Sequence, residues 1–427
     1  MTQTKVEQHL PPQKNKILFS EILITSLFFL WGFALNLNPI LIPHLKKACQ
    51  LTDTQSAMID SASYIAYFLM AIPAGLYMKK FGYKGGIILG LLLFAGGAFL
   101  FFPAAETRLY VFFLFALFVI ACGLTFLETA ANPYITVLGN PESATQRLNL
   151  AQSFNGLAAT LAPLVGGYFI LSGKTMSSVE ITGMEPQQLS QYLDQEASSV
   201  KIPFIVIGLV VLFVALLLWK THLPEIAEQE EQGKEKGSLL KERNLMLGVL
   251  AQFFYVGAQV CVSSFFIRFS GYVGGIAEKP AAFFLSAALF GFMIGRFVGT
   301  FLMKFISPSK LLAIYSVLNF LLLILAVLLR GEFSVYALIG VEFFMSIMFP
   351  TIFSLSIRGL GARTKQGSSL VIMSIVGGAI FPLIMGQVSD ATNIQTAYLV
   401  PAVCFGVVFY FAVQNLNVKK IAFTSSH

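Results

Sequence analysis

The chain has 427 residues, 56% of them hydrophobic and only 11% charged, with a mean hydropathy of +0.76 and a formal net charge of +7. A soluble domain carries roughly 25% charged residues, so the composition excludes an ordinary water-soluble globule and makes lipid the natural solvent. The chain carries no P-loop, and its histidines (His9, His44, His222, His427) all lie in tails or near loops, which argues against ATP-driven pumping by this chain alone and against a His-dependent metal or enzyme site.

The first sixteen residues are polar and include Pro11 and Pro12. The apolar run that starts at Ile17 is too long for a signal-peptide core and has no small-residue cleavage site, so it is expected to be a retained span. A helix needs about 20 mostly apolar residues to cross the hydrocarbon core. Apolar runs separated by charged or Gly/Pro-rich turns give twelve expected spans. The first six are 17–45, 57–78, 84–103, 108–137, 147–171 and 201–219. The second six are 244–268, 281–304, 309–329, 333–358, 366–388 and 396–415. The Glu- and Lys-rich stretch 220–243 has no apolar face and reads as a linker between an N-terminal half, 17–219, and a C-terminal half, 244–415. Tails of 1–16 and 416–427 complete the chain. The loop Ser172–Val200 is expected to hold a short helix at Pro186–Ser198.

Placing the N-terminus inside puts nineteen of the 28 Lys and Arg residues on the cytoplasmic side and eight outside, with Arg296 alone inside a helix. This is the positive-inside bias, so both termini are expected in the cytoplasm, and the basic balance is a topology signal with no nucleic-acid partner. Cys49, Cys122, Cys261 and Cys404 have no spacing that suggests zinc or disulfides, and three sit in apolar runs as small hydrophobes.

The two halves echo each other. Phe28-Phe29-Leu-Trp-Gly32 matches Phe253-Phe254-Tyr-Val-Gly257, and Met78-Lys79 matches Met303-Lys304, each 225 residues apart. Pro133 pairs with Pro350 at 217 residues and Pro163 with Pro382 at 219. Two parallel six-helix repeats around a midplane site are the architecture of the major facilitator fold, whose halves rock to give alternating access. The expected fold is therefore all-α, with twelve transmembrane helices in two pseudo-symmetric halves.

Ionisable residues in the membrane interior are costly and need a reason. Glu128 is surrounded by apolar sequence, with Asn132 one turn on and on the same face. Such surroundings favour the neutral carboxyl, which suits a group that takes up and releases a proton. Asn149, Gln152 and Asn155, three apart, form one slanting amide stripe on the fifth span, with Gln152 and Asn155 the expected ligands. Trp31, Asn36 and Asn38 on the first span and Gln259 on the seventh add amides that both donate and accept, and a ring on which a sugar's C–H face can stack. The alternative for such amides is interhelical glue. Glu342 lies a few turns from the outer end of the tenth span. Arg296 near the cytoplasmic end of the eighth is expected to snorkel or meet a helix C-terminus, in a structural or gating role. Asp60 fits the first turns of the second span as a charge on the helix dipole.

These residues resemble the bacterial fucose–proton symporters and their glucose/galactose relatives within the major facilitator superfamily. The resemblance runs nearly full length and is densest in Phe29-Leu-Trp31, Asn36-Leu-Asn38, Ile72-Pro-Ala-Gly75, Leu127-Glu-Thr-Ala-Ala-Asn132-Pro133, Arg147-Leu-Asn-Leu-Ala-Gln152, Tyr255-Val-Gly-Ala-Gln259, Ile294-Gly-Arg296-Phe and Pro350-Thr-Ile-Phe-Ser354. It implies a bacterial inner-membrane importer of a monosaccharide, working as a monomer without a cofactor. The implied cavity is lined by Trp31, Asn36, Glu128, Gln152 and Asn155, and Glu128 serves both sugar and proton. Two places depart from the pattern. Pro39 stands where the fucose symporters carry an aspartate, and Phe349 stands where the family often has Tyr. Asp60, at a position where the family has an amide, is a candidate replacement for the lost carboxylate. Without it, Glu128 couples alone, sodium replaces the proton, or the chain only facilitates diffusion. Gly257-Ala-Gln259 resembles the fucose members and Met348-Phe349 the glucose/galactose ones, so L-fucose is the expected sugar and glucose or galactose the alternative. A membrane-embedded transferase and a non-transporting sugar sensor are the competing classes, and the short loops weigh against the first.

Overall fold

The structure is a computed structural model that describes residues 14–37, 41, 44, 45, 47–51, 53–138, 140–170, 184–221, 223, 238–276 and 278–416. Asn38, Pro39 and most of the tails and of the 220–243 linker lie outside the described residues, as does the side chain of Asp60. The N-terminal half contains α1 (Lys14–Leu35), α2 (Asp53–Thr107), α3 (Tyr110–Val137), α4 (Ala144–Ile170), α5 (Pro186–Ser198) and α6 (Lys201–Lys220). The C-terminal half contains α7 (Arg243–Gly274), α8 (Glu278–Leu302), α9 (Pro308–Leu328), α10 (Glu332–Met345), α11 (Met348–Ser356), α12 (Thr364–Met373), α13 (Gly377–Ala391), α14 (Ile394–Ala397) and α15 (Leu399–Gln414).

In lipid a backbone must satisfy its own N–H and C=O groups, so apolar runs of this length become helices. The helix α2 is two spans in one, reversing at Gly82, whose φ of 72° and ψ of 176° suit glycine alone. Counted as two limbs, α2 brings the N-terminal half to six passes. α10 with α11 and α12 with α13 each make one pass, which gives six in the C-terminal half as well. The end of the bundle that bears Lys79, Lys84, Arg147, Lys304 and Arg363 is termed the basic face.

Packing follows composition. Of the apolar helix α6 only Phe204, Gly208, Val211, Ala215 and Leu218 are buried, a stripe spaced four and three apart. That stripe packs on α2, where Phe204 stacks on Phe101 at 3.7 Å. The other sides of α6, including Phe213 and Trp219, face outward, as a lipid-facing helix does. The sequence repeat is also a packing repeat. A Cβ on Gly32 of α1 would lie 2.6 Å from Asn155 Nδ2 of α4, and one on Gly257 of α7 would lie 2.2 Å from Phe381 Cδ2 of α13. The paired glycines thus sit at equivalent crossings of the two halves, where only a missing side chain lets the helices meet.

Three expected spans differ in detail. The first, expected to continue to residue 45, leaves the α1 helix at Leu35. There the Asn36 amide turns back onto the Gly32 carbonyl at 2.7 Å, a local bond that competes with helix propagation. The tenth is broken at Ser346–Ile347, because Pro350 has no N–H for the Ser346 carbonyl. The eleventh is broken by a 3₁₀ turn at Ser374–Val376, beside which Gly377 is pressed against α7. The loop helix expected at Pro186–Ser198 is α5. It clips the end opposite the basic face: Lys47 Nζ meets Glu196 Oε1 at 2.7 Å, Arg108 meets Asp194 at 2.9 Å, and the buried His44 faces both Glu196 and Ser199. Burial works against the Lys47 charge, yet Glu196 and Tyr192 outweigh it and hold that ammonium above the ordinary lysine range.

A Cβ at Gly377 would lie 2.0 Å from the Phe253 carbonyl oxygen, a backbone atom that cannot swing away. Gly377→Ala is therefore expected to cost about 1–3 kcal/mol of stability. Thermal unfolding of the detergent-purified protein checks this, and an unchanged Tm would show that α7 and α13 are not packed this closely.

Candidate functional site

The site grows from two prolines. Pro133 in α3 has no N–H, so the carbonyl four residues back, on Thr129, lacks its helical partner. Ser368 Oγ of α12 donates to it at 3.0 Å, across the boundary between the halves. The repeat partner Pro350 frees the Ser346 carbonyl in the same way, and Arg296 Nε donates to that one at 3.1 Å. The same guanidinium continues across the boundary: its Nη1 donates to the Gln152 carbonyl at 2.5 Å and lies 3.5 Å from Asn155 Oδ1. Toward the basic face three more bonds join the halves. The Thr145 and Ser354 hydroxyls are 2.8 Å apart, Asn149 Nδ2 donates to Thr351 Oγ1 at 3.2 Å, and Gln146 Nε2 donates to the Thr300 carbonyl at 3.3 Å.

Within this seam α3 is buried from Ile120 to Thr136, and Glu128 lies in the middle of that stretch. Tyr67 of α2 donates its hydroxyl to Glu128 Oε1 at 2.5 Å. One turn on, Asn132 Oδ1 accepts from Gln152 Nε2 at 3.2 Å, joining the α3 and α4 amides that the sequence picked out separately. The charge of Arg296 acts on Glu128 through space, as a contribution smaller than burial and the Tyr67 hydrogen bond. Trp31 is buried against Phe28, with ring centres 4.2 Å apart, and the next residue, Gly32, touches Asn155.

The expected residues thus fall into two groups. Glu128, Asn132, Gln152, Asn155 and Arg296 meet in one place, with Trp31 next to it. Asn36 has its amide donor committed to its own helix, and Gln259 and Phe349 are half-buried on α7 and α11 of the other half. Lys79 is exposed on the basic face. Arg147 caps the end of α3: its three nitrogens donate to the carbonyls of Ile135 and Thr136 in the last turn and of Asn140 just beyond it. Of the two placements expected for Arg296, snorkelling or meeting a helix C-terminus, it takes the second, at the Ser346 carbonyl that closes α10. It is 6% exposed, lies over the Phe292 ring at 4.7 Å, and turns inward because the proline-freed carbonyl and α4 offer it acceptors.

Sequence reading missed Tyr67, Gln252 and Ser346. Tyr67 gives no signal in an aromatic-rich helix. Gln252, however, stands seven residues before Gln259 and so on the same helical face, a spacing that could have revealed it. Among the described residues, both amide atoms of the buried Gln252 lack a hydrogen-bond partner, as do Asn132 Nδ2, Asn149 Oδ1 and Ser346 Oγ. Each such atom costs about 1–3 kcal/mol when left unmatched. A seam with donors and acceptors from both halves in excess is chemically matched to a small, many-hydroxyl guest.

Arg296→Ala leaves the proline-freed Ser346 carbonyl without its donor and removes the bond to the Gln152 carbonyl across the boundary. The expected result is a looser seam. In a variant lacking the native cysteines, a Thr145→Cys thiol at the buried Thr145 position should be alkylated by a water-soluble maleimide several-fold faster when Arg296 is removed. An unchanged rate would mean that Arg296 does not hold the halves together.

The chain matches the sequence model of the Major Facilitator Superfamily over residues 22–382. It is 45% identical over 410 residues to an L-fucose-proton symporter of Escherichia coli K12, covering 94% of each chain. It is also 41% identical over 392 residues to a glucose/galactose transporter of Brucella abortus, covering 91% of this chain and 92% of the relative. Its fold superposes on the crystal structure of the E. coli fucose:proton symporter with a TM-score of 0.87 at 44% identity, covering 94% of this chain and 99% of that one. A Major Facilitator Superfamily transporter solved in the outward conformation gives a TM-score of 0.88 over the same shares. A seam between two six-pass halves, full-length identity to sugar transporters and a shared fold lead to one assignment: the chain belongs to the Major Facilitator Superfamily.

Proposed function

We propose that the chain imports a monosaccharide, L-fucose, by proton symport with alternating access. The supporting observation is the joined pair of Glu128 with Tyr67 and Asn132 with Gln152, in contact through Arg296 with the second half. Glu128 is the proton carrier. Asn132, Gln152, Asn155 and Gln259 bind hydroxyls, with Trp31 and Phe349 as apolar walls and Asn36 and Asn38 as further ligands from the first span. Sugar and proton act on the same buried group, so occupancy of one changes the cost of moving the other. The 45% identity to a named L-fucose-proton symporter supports the choice of sugar and ion.

In this reading the protein is a monomer in the bacterial inner membrane with both termini cytoplasmic, built from halves 17–219 and 244–415 joined by the linker 220–243. The basic face is then the cytoplasmic one, and a seam bonded there corresponds to a carrier closed inward. Asp60 supplements Glu128 in place of the aspartate that Pro39 replaces. Lys79, Arg147 and Arg296 steady the gate. Transport, rather than catalysis or sensing, is favoured by a polar site shared between two mobile halves. Met348-Phe349 and the 41% relative support glucose or galactose as the second reading.

The test is uptake of radiolabelled L-fucose into energy-depleted vesicles under an inward proton gradient, then a sodium gradient, with glucose and galactose as competitors. Accumulation above the outside level driven by protons, and lost in Glu128→Gln, is the expected outcome. Accumulation with sodium alone would change the ion, and equilibration under both gradients would make the chain a facilitator. Asp60→Asn is expected to weaken accumulation and shift its pH dependence; unchanged accumulation would remove Asp60 from the mechanism.

A further inference from the structure

A second membrane-buried carboxyl lies outside this site. Glu342 of α10 is 1% exposed, and Ser263 Oγ of α7 donates to its Oε1 at 2.7 Å. Its titratable neighbours are engaged elsewhere. Tyr255 donates to the Met345 carbonyl at 3.0 Å, and Tyr398, at the start of α15, donates to the Val262 carbonyl at 3.2 Å. Arg268 of α7 is exposed and lies over the Phe265 ring, while Cys261 is buried on the far side of the same helix near Cys404. From α8, Arg296 bonds the Ser346 carbonyl and turns its other nitrogen to Gln152 of the N-terminal half, and from α9, Tyr315 packs on Phe344 at 5.0 Å. Among the described residues, then, no cation pairs with Glu342. A carboxylate whose one partner is a neutral hydroxyl is expensive in the membrane interior, and the cheapest way to neutralise it is a proton.

Position gives that proton a route. Glu342 is ten residues into α10, about 15 Å from the face opposite the basic one. Glu128 is nine residues from the end of α3, about 14 Å from the basic face. The two carboxyls therefore belong to different halves and to different levels of the membrane. Ser263 continues the α7 stripe of Gln252 and Gln259, spaced seven and four residues, and is itself half-buried, with exposed Ser264 and Arg268 beyond it toward the opposite face. The hydroxyl thus stands between the carboxyl and the polar side of α7.

We propose that Glu342, held by Ser263, is a second proton-binding site of the transport cycle, on the C-terminal half and on the opposite-face side of Glu128. Its carboxylate takes one proton from water on that face, becomes neutral for the conformational change, and returns the proton to water on the basic face. The inference rests on the proton-symport reading above.

The test uses the full-length protein in proteoliposomes and separates exchange from accumulation. In Glu342→Gln, counterflow of labelled against unlabelled sugar without a gradient is retained, while proton-driven accumulation is lost and uptake no longer depends on outside pH. Glu342→Asp restores accumulation. Ser263→Ala keeps the carboxyl but moves the pH midpoint of accumulation. Parent-like accumulation and pH profile in Glu342→Gln would overturn the role of Glu342, leaving it a protonated packing group. If Glu342→Gln fails to fold, an unmoved pH midpoint in Ser263→Ala overturns the role equally. A parent chain that does not accumulate sugar under a proton gradient would instead overturn the symport reading itself.

Discussion

A proline in a membrane helix leaves one carbonyl without its N–H donor, in a solvent that offers no replacement. In this protein the two prolines that the repeat places in α3 and α11 each free such a carbonyl, on Thr129 and Ser346. Both are matched by polar side chains, Ser368 and Arg296, at the boundary between the halves. The rest of the site depends on this. Arg296 turns inward because an acceptor waits for it, and once inward it reaches Gln152 and Asn155 and brings its charge near Glu128. A backbone defect that would destabilise a soluble helix here fixes the place where two mobile bodies meet around a polar site.

The bonding at that boundary is suited to breaking and re-forming. Toward the basic face the halves are joined by single hydroxyl and amide bonds, each worth about 0.5–1.5 kcal/mol net, beside the Lys365 ammonium that lies over the Tyr83 ring at 4.8 Å. Close steric fits of glycines occur at the boundary too, where Gly75 of α2 meets Ser369 of α12, and they run through the inside of each half. Gly32 on Asn155, Gly257 on Phe381 and Gly377 on the Phe253 backbone are close steric fits that tolerate no sliding. Rigid halves with a weakly bonded boundary are what alternating access requires, since the halves must rock without losing their own packing.

Much of this was legible in the sequence. Hydropathy located the spans, because membrane helices must be long and apolar whatever they pack against. The glycine and proline pairs located the repeat, because both residue types act through the backbone and leave a mark independent of neighbours. Glu128 and the α4 amides stood out as polar residues in apolar runs. Side-chain direction was not legible. Arg296 read equally as a snorkelling residue or a partner of a helix C-terminus, because the sequence gives its depth but not that Pro350, 54 positions later, frees an acceptor beside it. Tyr67 was invisible because its role rests on a partner 61 residues away. The break of the tenth span was implicit in Pro350, but where the freed carbonyl points depends on the packing of α8 against α10.

Coupling sugar to proton through Glu128 is tested most directly without any imposed gradient. L-Fucose is added outside proteoliposomes that contain the protein and a trapped pH-sensitive dye, and the interior pH is followed beside entry of labelled sugar. Acidification of the interior in step with sugar entry, absent in Glu128→Gln, is the expected result. Sugar entry with no change of interior pH would contradict proton symport and make the carboxyl a binding group alone.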